Sequence, residues 1–201
     1  MTEDNFGLHT VLNIYLDNFN DDLIRSALGK PVYKEKLRLR AYNKVTDNSC
    51  AFLEIKKKLY GITYKRRFEL TYKKLHDYIT YGTVPNQRGQ VFEEIDYMIK
   101  RMLLVPKIVI CYDREAYYGN DDKEFRLTFD SNVRFRHEKL DLRLGDQGEK
   151  LIAAPFKVME AKSAGAIPFA LARALSELKI YSGAFSKYGT IYQLERQRLK
   201  S

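Results

Sequence analysis

Cysteine, histidine and long apolar runs are all scarce in this chain. Two cysteines in 201 residues, Cys50 and Cys111, are too few for a disulfide scaffold or a cysteine-only metal site. Each lies in an apolar, strand-like stretch, which predicts buried, reduced thiols. His9, His76 and His137 stand singly, without metal-ligand spacing. No apolar run approaches the roughly 18–20 residues that span a bilayer, so no membrane segment is expected. The acidic start, Met1-Thr2-Glu3-Asp4-Asn5, has no signal-peptide profile, and a cytoplasmic location is expected. No Pro/Gly/Ser linker and no internal repeat divides the chain, which predicts one domain over residues 1–201. Gly29-Lys30 lacks the upstream glycines of a P-loop. No zinc finger, RNA-binding aromatic signature or recognition helix is present, so no nucleic-acid partner is expected.

Aromatic and basic residues are abundant. Fifteen tyrosines and eleven phenylalanines argue against disorder. Thirty-five Lys and Arg against twenty-six Asp and Glu leave a formal charge of +9.

Period-two alternation predicts strands over His9–Asp17, Val32–Tyr42, Cys50–Leu59 and Gly61–Leu70, with a tight hairpin at Tyr60-Gly61. Thr71 can cap a helix running to Gly82. Val91, Ile95, Met98 and Met102 predict a second helix that stops before Pro106. Strands resume at Lys107–Tyr117, Phe125–Asp130, Val133–His137 and Leu151–Lys162. Pro168 opens a helix whose Leu171, Ala174, Leu175 and Leu178 form a core stripe. Tyr33, Tyr42 and Tyr64 are expected in core or cross-strand packing. Helices interrupt the strands without alternating with them, which is the pattern of an α+β chain on an antiparallel sheet.

The parity of the charges is the informative feature. Lys34, Lys36, Arg38 and Arg40 share one face of their strand, about 7 Å apart at roughly 3.3 Å per residue. The next strands place Glu54, Lys56 and Lys58 together, then Lys65 and Arg67. Later ones place Tyr112 with Arg114, Arg126 with Thr128 and Asp130, and Glu160 with Lys162. These positions hold eleven cations against three carboxylates. A solvated face ordinarily mixes the two signs. Cations repeated on six strands fit a sheet curled around a groove or tunnel that attracts a multiply charged anion, and a chain of phosphates is the natural occupant. Glu54, Asp130 and Glu160 each lie near a cation on their own strand. Each is either an ion pair that orients its neighbour or a site for a hard cation, and Glu160 is the best candidate for the latter.

The stretches Asn13-Ile14-Tyr15-Leu16-Asp17, Tyr33 to Tyr42, Phe52-Leu53-Glu54-Ile55-Lys56-Lys57-Lys58, Tyr64-Lys65-Arg66-Arg67, Tyr112-Asp113-Arg114-Glu115-Ala116, Arg126-Leu127-Thr128-Phe129-Asp130, Met159-Glu160-Ala161-Lys162 and Phe185-Ser186-Lys187-Tyr188-Gly189 run in order over nearly the full chain. Together they resemble the VTC domain, the polyphosphate-polymerase branch of the triphosphate tunnel metalloenzymes. The resemblance implies an antiparallel β-barrel with helices packed outside. Its bore would bind ATP or another nucleoside triphosphate, together with polyphosphate, and require Mn²⁺ or Mg²⁺. The terminal phosphoryl group would pass from the nucleotide to a growing phosphate chain. Arg38, Arg40, Lys56, Arg126 and Lys187 are then the expected catalytic group. Lys34, Lys36, Lys58, Lys65, Arg67, Tyr112, Arg114, Asp130, Lys162 and Ser186 are expected on the substrate, and Glu160 on the metal. The chain departs from the family in starting at what corresponds to its second strand, so a barrel lacking its first strand is expected. It also reads Asp17-Asn18 for Asp-Thr and Gly183-Ala184 where a lysine is usual. Two other activities fit the same bore: a CYTH-type triphosphate hydrolase, whose Glu-x-Glu-x-Lys string is absent here, and a polyphosphate-binding module without turnover.

Overall fold

The computed structural model describes residues 1–29, 31–120 and 122–200. Nine strands form one antiparallel sheet: β1 (Thr2–Glu3), β2 (His9–Asp17), β3 (Tyr33–Tyr42), β4 (Cys50–Leu59), β5 (Ile62–Thr71), β6 (Val105–Tyr118), β7 (Arg126–Arg136), β8 (Glu149–Lys150) and β9 (Val158–Lys162). The helices are α1 (Asp22–Leu28), α2 (Tyr72–Tyr81), α3 (Gln90–Met102), α4 (Phe169–Glu177) and α5 (Lys187–Arg198). Strand order is β5-β4-β3-β2-β6-β7-β8, with β1 added to β6 and β9 to β7. The expected hairpin joins β4 to β5: Tyr60 and Gly61 both take positive φ, 47° and 85°, which matches the right-handed twist of the flanking strands. Gly82 ends α2 in the left-handed region at φ 74°.

Alternation separates two faces. Leu12, Ile14, Leu16, Leu37, Leu39, Leu53 and Ile55 point to the convex side and are buried under Leu75, Tyr78 and Ile79 of α2 and Phe92, Ile95 and Met98 of α3. At about 1.5–3 kcal/mol for each fully buried aliphatic or aromatic side chain, this layer supplies most of the driving force. A second apolar cluster, with Ile24 of α1, Ile108, Ile110, Val133 and Phe135 of the sheet, and Tyr188 and Ile191 of α5, closes one end of the concave side.

The sheet curls strongly. Strands lie about 4.8 Å apart, so five steps from β4 to β9 would span some 24 Å if flat. Yet Lys56 on β4 is close enough to Glu160 and Lys162 on β9 to feel both charges. The described strands do not close into a barrel, however: β5 pairs with β4 and β9 with β7, and no ladder joins β5 to β9.

Other expectations change as well. Residues 126–136 form one strand instead of two, because an irregular register opposite Cys111–Asp113 absorbs Asn132, at φ 48°, without ending the ladder. The stretch 151–162 is a strand only from Val158, with a loop before it. The apolar stripe of α4 is not core, since no residue of that helix is buried. Helical spacing reports that a face could be covered without saying what lies opposite. Cys50 is exposed, whereas Cys111 is buried as expected. Tyr33 and Tyr64 are exposed, whereas Tyr42, at the margin of exposure, packs across strands against Phe52 and His9 as expected.

Candidate functional site

Register puts the expected cations on a common surface. Across β3 and β4, Lys34 opposes Lys58, Lys36 opposes Lys56, and Arg38 opposes Glu54. Across β4 and β5, Glu54 opposes Arg67 and Lys56 opposes Lys65. On the other wall Arg114 opposes Asp130, Thr128 opposes Glu160, and Arg126 opposes Lys162. Directly opposed residues in an antiparallel pair share a face. The charged face is concave, and the apolar face lies outside it beneath α2 and α3.

Two buried carboxylates, Glu54 on β4 and Asp130 on β7, organise this face, one on each wall. Glu54, 2% exposed, accepts from Arg38 Nε at 2.8 Å and forms ion pairs with Arg38 Nη2 at 2.6 Å and Lys65 Nζ at 2.7 Å. Burial alone would raise its carboxyl pKa; the charges of Arg38, Arg40 and Lys65 outweigh that and hold it at about 2. Asp130 receives both Nε and Nη2 of Arg114, at 2.6 and 2.9 Å, and Lys187 Nζ at 2.5 Å. Burial works against its ionised form too, yet Arg114 and Lys187 keep its pKa below the usual carboxylate value. Both are ion pairs that set cation positions. Asp130, expected on the substrate, instead has both oxygens committed to Arg114 and Lys187.

Arg40 is buried and held in place by neutral groups that the charge pattern did not single out. Its Nε donates to Asn13 Oδ1 at 2.9 Å and its Nη2 to Tyr112 Oη at 3.0 Å, while Asn13 donates to the Ile110 carbonyl. Tyr15 Oη accepts from Arg38 Nη1 at 3.0 Å. Asn13 and Tyr15 lie in the Asn-Ile-Tyr-Leu-Asp stretch, and their parity with Val11 was the available signal. Tyr112 is itself a platform, with Lys187 Nζ 4.3 Å and Arg114 Cζ 5.2 Å from its ring centre.

Helix α5 enters between the two walls. Ser186 caps it by accepting from Gly189 N, and the same Oγ accepts from Lys36 Nζ at 2.9 Å on β3. The next residue, Lys187, reaches Asp130 on β7. Beside this helix end lies a cavity of about 450 Å³ lined by Lys34, Lys36, Lys56, Lys58, Thr63, Ser186 and Gln193, among others. Burial lowers the Lys36 pKa, Lys34, Lys56 and Arg38 add to the effect, and Tyr15 opposes it. Asp17 anchors α1 beside the same end, accepting from Leu23 N and Ile24 N, and Asn18 Oδ1 accepts from Asn20 N and Asp22 N. Asparagine at 18 thus fills a turn-forming role.

The remaining expected residues sit at the opening. Glu160 is half exposed and 3.4 Å from Lys162 Nζ. Arg126 stacks 5.3 Å over Tyr118 and lies 3.8 Å from Asp4. The Arg67 guanidinium lies 4.8 Å over Phe52. Thr128, opposite Glu160, has a buried hydroxyl without a hydrogen-bond partner. No group of three or more His, Cys, Asp or Glu suited to a metal occurs among the described residues. No helix there is long and apolar enough to cross a membrane.

Among solved structures, a protein of Bacillus halodurans described as a "putative adenylate cyclase" superposes with a TM-score of 0.58 at 11% identity, covering 91% of this chain and 81% of that one. At that identity the likeness is one of fold. The PH1819 protein of Pyrococcus horikoshii gives 0.41 at 15% identity, covering 89% and 76%. No curated protein sequence matches the chain. The VTC domain profile matches residues 3–195, so the chain belongs to the VTC domain family.

Proposed function

We propose that the groove binds the triphosphate of ATP or a related nucleotide and that the terminal phosphoryl group passes to a growing polyphosphate chain. The observation that supports this is the convergence of Arg38, Arg40, Lys56, Lys65, Arg114, Arg126 and Lys187, from five strands and a helix, on one concave surface. In the transfer, a terminal oxygen of the acceptor chain bonds to the γ-phosphorus as the bond from that phosphorus to the β–γ bridging oxygen breaks. The bridging oxygen leaves with the electron pair on the nucleoside diphosphate. The acceptor oxygen is already ionised, so no general base is required. The protein's work is alignment and charge neutralisation.

Glu160 fits a divalent cation carried on phosphates, which takes one or two protein carboxylates and fills its shell with phosphate oxygens and water. Its open position and the unpartnered Thr128 hydroxyl opposite are consistent with such a hydrated ion. Mn²⁺ or Mg²⁺ held there would supply further charge neutralisation at the phosphates. Arg38 and Arg40, pre-set by Glu54, Tyr15, Asn13 and Tyr112, grip equatorial oxygens; Lys187 and Ser186 bound the far end.

Incubation with ATP and Mn²⁺, followed by resolution of the products by chain length, tests the reading. Lengthening chains support it. Free phosphate alone indicates a CYTH-type hydrolase, and tight binding without turnover indicates a binding module.

A further inference from the structure

The cations of the concave face give way to rings at one rim. Phe52 lies directly across from Arg40 on the neighbouring strand, and Glu69 directly across from Phe52. From Phe52 the rings continue outward: Tyr42 at 6.2 Å between centroids, His9 at 6.0 Å from Tyr42, and Phe6 at 6.0 Å from His9. Arg67 covers the Phe52 face at 4.8 Å. Tyr42 is 37% exposed and Phe6 79% exposed, so the series is open to solvent where it leaves the sheet. Tyr42 shares its strand face with Arg40 and Arg38, by the same alternation that aims those cations inward.

Phosphates have no use for rings, but a base attached to them does. A series of rings set edge-on or tilted to one another, starting one residue pair from the phosphate-binding arginines, suits a nucleobase, since every base offers a π-face that can stack on an aromatic ring. Glu69 adds a carboxylate acceptor at the same edge. We propose that the rim formed by Phe6, His9, Tyr42, Phe52, Arg67 and Glu69 is a nucleobase seat. Tyr42 supplies the stacking surface, and Glu69 accepts from an exocyclic amine of the base. The seat gives the groove a direction, with base at the aromatic rim and phosphates toward Lys187. It rests on the reading of the groove as a triphosphate site.

Calorimetric affinities for ATP and inorganic tripolyphosphate separate the two ideas. Tyr42→Ala should weaken ATP about tenfold and leave tripolyphosphate unchanged, and Tyr42→Phe should restore ATP. Equal losses for both ligands, or no loss for either, overturn the seat while leaving the phosphate site standing. Failure of tripolyphosphate to bind the unaltered protein overturns both. Inosine triphosphate, with an oxo group in place of the amine of adenine, should bind the unaltered protein several-fold more weakly than ATP. Glu69→Ala should erase that difference. Equal affinity for the two nucleotides in the unaltered protein removes Glu69 from the proposal.

Discussion

Lys187 Nζ lies 2.5 Å from Asp130 Oδ2 on one wall of the groove, while the preceding residue, Ser186, holds Lys36 Nζ at 2.9 Å on the other. Two consecutive residues at a helix start therefore fasten strands β3 and β7, three positions apart in the sheet. Lys187→Ala leaves Asp130 with Arg114 alone, so the fold should lose about 1–2 kcal/mol. Tripolyphosphate affinity should fall at least tenfold, because a cation at the closed end is gone. Thermal melts with and without tripolyphosphate check both; an unchanged ligand-induced shift in Tm would remove Lys187 from the site.

Glu54 makes the groove sensitive to acid. Its carboxyl sits at about 2 in the folded protein against an ordinary 4.5. A depressed folded pKa means that its contribution is fully present above pH 4.5 and is lost as pH falls toward 2. At 1.36 kcal/mol per unit, the difference is about 3 kcal/mol. Glu54→Gln should therefore be less stable than the unaltered protein at pH 7, and the gap should narrow steadily below pH 4.5. Urea midpoints measured across that range test this, and a gap that does not change with pH contradicts it.

Strand parity carried most of this architecture. Side chains two apart share a face whatever the rest of the fold does, so Lys36, Arg38 and Arg40 could be assigned to one surface, and Leu37 and Leu39 to the other, from spacing alone. Asn13 and Tyr15 were hidden because neutral residues leave no charge pattern; their role follows from which arginine lies across the ladder. Glu54 and Asp130 were legible as inward carboxylates, but whether each grips a neighbour or a ligand depends on distances that sequence does not contain. Leu171 and Leu175 of α4 show the converse limit: a correct helix whose apolar stripe meets no packed layer.

Lys56 and Arg40 should separate binding from stability. Lys56 projects from β4 into open space, so Lys56→Met should weaken tripolyphosphate about tenfold with little change in Tm. Arg40 is buried, and Arg40→Ala leaves Asn13 Oδ1 and Tyr112 Oη without that donor. A loss of about 2–4 kcal/mol in unfolding free energy is expected alongside the binding defect. Equal stabilities for the two variants would contradict the buried network.

Glu160→Gln tests the cation independently of the phosphates. It should lower Mn²⁺-dependent turnover by 10²-fold or more while tripolyphosphate affinity in the absence of metal stays within about threefold, since Glu160 repels phosphate if it does anything to it. Calorimetry in chelator, set beside turnover across a Mn²⁺ titration, separates the two effects. Undiminished turnover would exclude Glu160 as a ligand.

Tyr15 should report occupancy through pH. Burial by itself would push the phenol upward, but Arg38, Arg40 and Lys36 bring it down to about 8. A polyphosphate bound among those same cations neutralises them, so the phenol of the complex must hold its proton more tightly than that of the empty groove. By linkage, ligand affinity is then greatest below pH 8 and falls by up to about tenfold per pH unit above it, until the pKa of the complex is reached. Binding near pH 9 should take up a proton, seen as a buffer-dependent heat and as loss of phenolate absorbance. In Tyr15→Phe the proton uptake should vanish and the affinity should lose this part of its pH dependence. A variant that retains the full pH dependence would assign the titration to a lysine of the groove instead.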